Sequence, residues 1–442
     1  MSRRRLGLRF LPFILAVSLV VGGPATVLSH HARAATTVSA AQPARASSAW
    51  ARAEAAALAP FRQPRHAPFL DSRLTLTPPM GWNGYNHFSH DVTAATVKAE
   101  ARALVSSGMK AAGYTYVNLD GGWDLLRRDA HGNLQANPTL FPQGIAPVAA
   151  YVHSLGLKFG IYTSAGTENC AGTSAGSYGH YRQDAATFAS WGVDYLKFDW
   201  CHVPYQDYPG LTHVQVSQLL AEQMGAALAA IGRPIVYDVN DTSLRRDVPW
   251  TWASLVANLW RTAGDISDSY HSMVANFIHD LGTRSQAHPG GWNDPDMLEV
   301  GNRGLTTTEQ QTQFSLWAEM AAPLIAGNDL TTMSAETRGI LTNRGVIAVD
   351  QDPLGRQGYV VSSDAGHWVL TRPLANGDRA IVLFNQTDTP AVIRTTATQA
   401  GLPSAAGYLL TDLWTGRATR TSGGIGATVP AHGVVMYRVS AG

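Results

Sequence analysis

The stretch DYLKFDWCH, Asp194–His202, mixes polar and apolar side chains by turns and reaches a carboxylate at Asp199. This alternation predicts a β-strand with at least one buried face. Charged residues make up only 15% of the chain, so an Asp at the end of such a strand calls for an explanation. One of only two cysteines, Cys201, follows two residues later. The same pattern, a short strand that ends in polar residues, recurs along the chain.

Eight segments of this kind alternate with amphipathic helical patterns. They begin at Pro78, Tyr114, Leu157, Asp194, Arg233, Ala257, Gly290 and Pro323. Repeated β and α units of this length predict an α/β fold, a (β/α)8 TIM barrel, over residues 75–350. An open doubly wound sheet is the structural alternative, but no G-x-G-x-x-G turn follows the first strand.

The pattern changes at about residue 351, after which strand segments follow one another without helices. Examples are HWVLTRPL from His367 and RAIVLFNQT from Arg379, with turn residues such as ANGD between them. We predict a C-terminal antiparallel β-sandwich domain over residues 351–442. Packing against the barrel and independent glycan binding are both open as its role.

The N-terminal residues have the composition of an export signal. An arginine cluster precedes an apolar run from Phe10 to Val21, and small residues lead to Ala34. This predicts a signal peptide over 1–34, with Sec or twin-arginine export left open, and a secreted protein. Residues 35–74 are rich in Ala, Arg, Ser and Pro and predict a flexible lead-in. No later segment has the length and apolarity of a membrane span.

Charge and cysteine content limit the partners. The formal net charge is +1 and no basic stripe occurs, which argues against nucleic acid as a partner. In an exported protein the pair Cys170 and Cys201 predicts a disulfide, with two free thiols as the alternative. The sequence makes no prediction of the oligomeric state.

Polar residues gather where a TIM barrel places its chemistry, at the C-terminal ends of the strands. One alone is usually a turn former or helix cap, but here several share one rim. Carboxylates accept from sugar hydroxyls while aromatic rings cover C–H faces, so this rim predicts a carbohydrate ligand. The rim residues are Asp120, Asp199, Asn240, Asp265, Asp294, Asp296 and Asp329, with Trp82, Tyr85, Trp123, Tyr162, Trp200, Trp260 and Trp292.

A metal site is the competing interpretation of the acidic residues in GGWNDPDM, from Gly290. Histidines do not recur at the strand ends, and the acidic residues lack the spacing of a calcium-binding loop. We therefore predict no metal and no organic cofactor.

Several longer motifs resemble glycoside hydrolase family 27, the α-galactosidase and α-N-acetylgalactosaminidase family. They include LTPPMGWNGYNHF from Leu76, WGVDYLKFDWC from Trp191, GGWNDPDMLEVGN from Gly290 and VIAVDQDPLGRQG from Val346. The resemblance runs in order from about Leu74 to Gly358. It implies a retaining exo-glycosidase of the α-galactosidase type.

The resemblance also implies a role for individual residues. Asp199 is the implied nucleophile and Asp265 the implied acid/base, which must start protonated through burial or through the nearby charge of Asp199. Lys197 is implied to keep Asp199 ionised and to contact a sugar hydroxyl. The implied substrate-binding residues are Trp82, Tyr85, Asp120, Tyr162, Lys197, Asn240, Arg261 and Asp296.

Three positions depart from the family's usual pattern. Gly121 replaces the second of two adjacent Asp residues that read the sugar's O4 and O6, Asn240 replaces a Glu that faces O2, and Tyr85 replaces a Trp. Asp124 is either a substitute acceptor or a solvated loop residue. The departures keep two alternatives open: the same chemistry on another sugar, as in isomaltodextranases or β-L-arabinopyranosidases, or a non-catalytic carbohydrate-binding protein.

Overall fold

The computed structural model describes residues 71–241 and 248–442. The predicted signal peptide and the lead-in up to residue 70 lie outside the described residues. The last residues of the predicted lead-in are structured, because Ser72–Thr75 form a 3-10 helix. The carbonyl of Thr75 accepts a 2.7 Å hydrogen bond from the indole N–H of Trp292, at the N-terminal end of a barrel strand.

Eight parallel strands form one sheet in the order β7-β6-β5-β4-β3-β2-β1-β8. The remaining gap closes where Leu298, just after β7, bridges in parallel to Ala326 of β8. The predicted TIM barrel is therefore confirmed. Its strands are β1 Met80–Asn83, β2 Tyr116–Leu119, β3 Lys158–Ser164, β4 Tyr195–Asp199, β5 Val236–Asn240, β6 Leu259–Arg261, β7 Trp292–Asp294 and β8 Leu324–Ala326.

Helices surround the barrel and follow most of its strands. Several begin with a side-chain cap, as where Thr212 caps the helix that precedes β5 and forms a capping box with Gln215. None of the described helices is both long and apolar enough to cross a bilayer. The helices are α1 Tyr85–Phe88, α2 Ala94–Ser106, α3 Met109–Ala112, α4 Ala146–Ser154, α5 Tyr181–Trp191, α6 His213–Ala230, α7 Tyr270–Leu281, α8 Thr307–Met320, α9 Ala335–Leu341 and α10 Arg344–Asp350.

The two-residue period of each strand decides which side chains enter the barrel. On β4, Tyr195, Lys197 and Asp199 share one face, while Leu196 and Phe198 share the other and belong to the large core. Tyr195 packs low in the barrel with apolar residues of other strands. Lys197 and Asp199 come successively nearer the C-terminal end, so the barrel becomes more polar toward its working face.

The C-terminal domain consists of antiparallel strands in two sheets, as predicted. One sheet has the order β14-β13-β16-β11-β10-β9 and the other pairs β12 with β15. The strands are β9 Tyr359–Asp364, β10 His367–Pro373, β11 Arg379–Asn385, β12 Ala391–Thr396, β13 Tyr408–Asp412, β14 Ala418–Thr421, β15 Gly424–Val429 and β16 Val434–Ala441.

The β-sandwich packs against helices α7 and α8 of the barrel. Phe277 of α7 meets Trp368 and Phe384 of the sandwich edge-on, with ring centroids 5.9 and 5.8 Å away. The Trp414 indole N–H donates to the Ser315 hydroxyl of α8 at 3.0 Å. Most residues of α8 are buried, and these contacts cover part of its surface with the sandwich.

Candidate active site

A cavity of about 130 Å³ opens at the C-terminal ends of the barrel strands. Pockets for drug-sized ligands measure roughly 300–1,000 Å³, so this one suits a single sugar ring. Two larger cavities, of about 350 and 540 Å³, lie elsewhere and lack such a cluster of carboxylates. The lining residues are Tyr85, Asn86, His90, Asp120, Gly121, Tyr162, Asn169, Cys170, Ala171, Lys197, Asp199, Asn240, Arg261, Asp265, Ile266, Asp296 and Met297.

Asp199 lies in this cavity with both carboxylate oxygens engaged. The Tyr162 hydroxyl donates to Oδ2 at 2.6 Å, and the Trp200 backbone N–H donates to Oδ1 at 2.8 Å. Asn240 Nδ2 lies 3.3 Å from the same Oδ1. Burial raises the pKa of Asp199 above its usual value, while the charge of Lys197 and the bond from Tyr162 oppose that rise. These contacts also fix the orientation of the carboxylate.

Lys197 has a different direct partner from the one that the sequence suggests. Its Nζ lies 2.8 Å from Oδ2 of Asp120, at the end of β2, and its effect on Asp199 is through charge. Burial alone would raise the pKa of Asp120, but Lys197, Asn83 and the Gly121 N–H together hold that pKa below its usual value. The pair therefore presents a fixed acceptor and a fixed donor side by side.

Cys170 and Cys201 form a disulfide, as the sequence predicts, with Cα atoms 4.9 Å apart. The sulfur of Cys170 lies 3.2 Å from Oδ2 of Asp199. Because Cys201 follows Asp199 by two residues, the disulfide ties the strand end that carries the carboxylate to the loop after β3.

Arg261 is buried at 2% exposure and links three carboxylates on the β6 and β7 side of the cavity. Its Nη1 lies 2.8 Å from Asp265 and 3.1 Å from Asp296, and its Nε lies 3.8 Å from Asp294. Asp294 and Asp296, the residues that suggest a metal site, thus face a guanidinium. Charge balance around Arg261 accounts for this acidic group.

Asp265 lies at the mouth of the cavity and is not buried, so of the two expected ways to keep it protonated only the nearby charge of Asp199 is left in the free protein. The side chain is 79% exposed because it projects from the loop after β6, four residues beyond Arg261. Retaining chemistry requires the carboxyl groups of Asp265 and Asp199 to be roughly 5–5.5 Å apart, and this separation stays a prediction.

Asp296 holds an unusual backbone conformation at the edge of the cavity. Its φ is +82°, in the left-handed region that residues other than glycine rarely adopt. Its carboxylate accepts from the backbone N–H groups of Ile266, at 2.8 Å, and Met297, at 2.7 Å. Such strain is concentrated at functional sites, and here it aims the carboxylate at Arg261.

Trp82, which the sequence predicts to bind substrate, does not line the cavity. It is 1% exposed, belongs to the core and donates from its indole nitrogen to the Asn328 carbonyl at 2.8 Å. The reason is strand parity: Asn83, the next residue, points into the barrel and donates to Asp120 at 2.7 Å, so Trp82 points outward. The other nine predicted catalytic and substrate-binding residues line the cavity.

Two further acidic residues also lie outside the cavity. Asp124 is 5% exposed, so it is not a solvated loop residue, and burial raises its pKa to about 7. Asp329 accepts from the hydroxyls of Thr331 and Thr332, as a turn former does. Neither supplies the acceptor that is missing at Gly121.

A second polar layer lies beneath the cavity and was not predicted. Asp238 of β5 is 4% exposed and accepts a 2.8 Å hydrogen bond from the Tyr195 hydroxyl. Burial and the charge of Asp294 raise the pKa of Asp238 to about 7. The parity of β5 is the signal that reveals it, since Asp238 and Asn240 must share the inward face.

Comparisons with known proteins agree with this architecture. Residues 77–352 match a family model described as alpha galactosidase A, and residues 364–439 match its C-terminal beta sandwich domain. The α-galactosidase of Cyamopsis tetragonoloba is 42% identical over 372 residues, which is 83% of this chain and 87% of that protein.

Solved structures extend the comparison to three dimensions. The crystal structure of α-galactosidase I from Mortierella vinacea has a TM-score of 0.78 and 34% identity, covering 84% of this chain and 98% of that one. The α-galactosidase of Saccharomyces cerevisiae, solved with raffinose, has a TM-score of 0.77 and 27% identity, covering 85% of this chain and 100% of that one.

Proposed function

The chain belongs to glycoside hydrolase family 27, the α-galactosidase or melibiase family, and is a glycosidase; on that premise we propose that it removes terminal α-D-galactosyl residues by a retaining double displacement. Asp199 is the proposed nucleophile and Asp265 the proposed acid/base. The reaction requires no metal or organic cofactor in this proposal.

The observation that carries the proposal is the contrast between the two carboxylates in one cavity. Asp199 is 7% exposed and held by three donors, as an oriented nucleophile requires. Asp265 stands at the mouth, where it can meet both a leaving group and water. A glycosidase needs two such groups with different tasks, whereas a carbohydrate-binding protein has no use for this division.

In the first step, Asp199 attacks the anomeric carbon as the bond from that carbon to the leaving oxygen breaks. Asp265 gives its proton to the leaving oxygen, and the product is a covalent glycosyl ester on Asp199. The hydrogen bond from the Tyr162 hydroxyl weakens as the ester forms, because the carboxylate that accepts it loses its negative charge. Bound substrate covers Asp265 and excludes water from it. In this proposal the substrate thus supplies the burial that Asp265 lacks in the free protein.

In the second step, water enters at the mouth of the cavity. Asp265, now ionised, takes a proton from the water as its oxygen attacks the anomeric carbon, and the bond to Asp199 breaks. Two displacements on the same carbon retain its configuration. The sugar is therefore released as the α anomer, before it equilibrates with the β anomer in water.

The size of the cavity favours cleavage at chain ends. Its volume of about 130 Å³ accommodates one ring, with the rest of the substrate outside beyond Asp265. We propose oligosaccharides, and the ends of polysaccharide side chains, as substrates. The relative from Saccharomyces cerevisiae solved with raffinose supports this class.

We further propose that the protein is secreted. The signal-like sequence at its N-terminus and a disulfide beside the nucleophile support export to an oxidising compartment. N-terminal sequencing of the exported protein is expected to begin at Ala35. A product that retains the first 34 residues would contradict export by this signal.

Gly121 favours one second candidate, a sugar without the hydroxymethyl group, such as a β-L-arabinopyranoside. The usual second Asp is missing at that position, so the cavity lacks one acceptor for the galactose O4 and O6. Losing a buried hydrogen-bond partner costs about 1–3 kcal/mol. That cost would act on galactose at both O4 and O6, but on a pentopyranoside, which has no O6, at O4 alone.

The test compares release of nitrophenol from p-nitrophenyl α-galactoside, α-N-acetylgalactosaminide, α-glucoside and β-L-arabinopyranoside. We expect the α-galactoside to react fastest and Asp199→Asn to lower its kcat by roughly 10³-fold or more. Asp364→Asn, on an exposed strand end of the sandwich, is the control and should act like wild type. Faster turnover of the arabinopyranoside would select the second candidate, and inactivity on all four would reject both.

A further inference from the structure

His90 lines the cavity next to Gly121, the position at which the family's usual second acceptor is missing. It lines the cavity together with Gly121 and Tyr85, and its ring meets that of Tyr85 edge-on with centroids 5.5 Å apart. Its Nδ1 lies 3.3 Å from the carbonyl oxygen of Gly121. The imidazole is thus held against the same backbone that lacks a side chain.

Gly122 makes room for the His90 ring, and Gly121 makes room for the neighbouring ring of Tyr162. A Cβ at Gly122 would lie 2.6 Å from His90 Nδ1, a contact that is too close for a real side chain. Gly122 also has φ +99°, which favours glycine. At Gly121 a Cβ would lie 3.2 Å from the ring of Tyr162. A side chain at position 122 and the His90 ring therefore exclude one another.

The contact with Gly121 determines which ring nitrogen can bind a ligand. A carbonyl oxygen only accepts, so Nδ1 carries the proton and donates. In the neutral ring Nε2 then keeps a lone pair and is an acceptor. Within the described part of the chain, no hydrogen bond engages this Nε2. It has the capacity that a hydroxyl of the bound sugar needs.

Strand order shows which part of the sugar this acceptor faces. His90 follows β1, and Gly121 follows β2, while Asp265 follows β6. In a closed barrel of eight strands, β1 and β2 lie across from β5 and β6. The anomeric carbon lies beside Asp199 and Asp265 in the proposed reaction. His90 is therefore on the side of the ring's C4 and C6.

We propose that His90 is a specificity-determining residue whose Nε2 accepts a hydrogen bond from the O4 or O6 hydroxyl of the bound galactose, in place of a carboxylate at position 121. The proposal rests on the α-galactosidase function argued above. A neutral acceptor binds a hydroxyl less strongly than a carboxylate does. Discrimination at this hydroxyl should accordingly be modest.

The experiment compares p-nitrophenyl α-D-galactoside with its 4-deoxy and 6-deoxy analogues, using wild type, His90→Ala and His90→Gln. We expect His90→Ala to lower kcat/KM on the galactoside by about 10-fold, the upper part of the range for a neutral hydrogen bond. On the analogue that lacks the recognised hydroxyl, kcat/KM should change less than about 2-fold. His90→Gln, which keeps an acceptor, should recover part of the loss.

His87→Ala is the matched control, because His87 is exposed, lies on helix α1 near His90 and is outside the cavity. It should leave all three substrates unchanged. Equal losses on all three substrates in His90→Ala, or no loss on any, would overturn the proposal for His90 alone. Wild type that does not hydrolyse the galactoside would overturn it together with the proposed function.

Discussion

Lys197 Nζ forms a 2.8 Å ion pair with Oδ2 of Asp120, two strands away, rather than with Asp199 on its own strand. The lysine still lowers the pKa of Asp199 through its charge, and Asp120 raises it. The ion pair therefore does two things: it fixes two sugar-binding groups, and it balances the charge that the nucleophile experiences.

This balance predicts opposite changes when either partner is neutralised. Lys197→Met removes the charge that favours ionised Asp199, so the acidic limb of the kcat/KM profile should move to higher pH. Asp120→Asn removes a negative neighbour and should move that limb to lower pH. We expect both variants to lose roughly 10²-fold or more in kcat/KM, since each leaves a buried charge unpaired. Shifts in the same direction would contradict the assignment.

Tyr162→Phe tests the hydrogen bond to the nucleophile. The hydroxyl donates to Asp199 Oδ2 at 2.6 Å, and this bond lowers the pKa of Asp199. Its loss should raise that pKa and move the acidic limb upward by about one pH unit or more, as a bond to a charged group is worth about 1.5–3 kcal/mol. We also expect a lower kcat, because the carboxylate loses a contact that fixes its orientation. An unchanged pH profile would show that the hydroxyl does not act on Asp199.

The disulfide predicts a linked loss of stability and activity. Cys170 and Cys201 are 31 residues apart, and closing a loop of this size contributes about 4 kcal/mol. The double variant Cys170→Ser/Cys201→Ser should melt at lower temperature and lose kcat, because the end of β4 is released. Dithiothreitol should lower the melting temperature and kcat of wild type in the same way and leave the double variant unaffected. Equal sensitivity of the two proteins to dithiothreitol would contradict this prediction.

Glu100 predicts a pH-dependent component of stability. It is 2% exposed, accepts from the Leu330 N–H at 2.9 Å, and burial raises its pKa from 4.5 to about 8. The folded state therefore holds a proton that the unfolded state releases above about pH 4.5, so the stabilisation is complete below that pH and is lost as pH rises toward about 8.

Glu100→Gln resembles the protonated acid and should remove this dependence. Between about pH 5 and pH 8, its Tm should fall by a few degrees less than that of wild type, which corresponds to about 1–3 kcal/mol. Glu336→Gln, at an exposed position of helix α9, is the control. A variant that loses stability with pH as steeply as wild type would show that Glu100 is already ionised in the folded protein.

The barrel and its rim could be predicted because they depend on local periodicity. Alternation within each strand places Lys197 and Asp199 on one face, and the strand-end rule brings distant residues to one cavity. The same parity, applied to Asn83, would have placed Trp82 outside the cavity. Trp82 lies near the C-terminal end of β1, but that position alone does not tell which face of the strand its side chain is on.

Other features depend on contacts that no local pattern reveals. The partner of Lys197 is decided across the barrel, and the exposure of Asp265 is decided by the path of the loop after β6. The position of His90 is not evident from the sequence, because it depends on contacts with Gly121 and Gly122, about 30 residues away. A strand-end search that included the whole loop after β1 would have found it.

Trapping the covalent intermediate tests the central claim most directly. A fluorinated galactosyl fluoride, whose ring fluorine slows the second displacement, is incubated with wild type, and the protein is then digested and its peptides are analysed by mass spectrometry. The account predicts one added fluorogalactosyl group, located on Asp199 in the peptide that contains LKFDWC, and none in Asp199→Asn. An adduct on another residue, or turnover without an adduct and with inverted product, would contradict it.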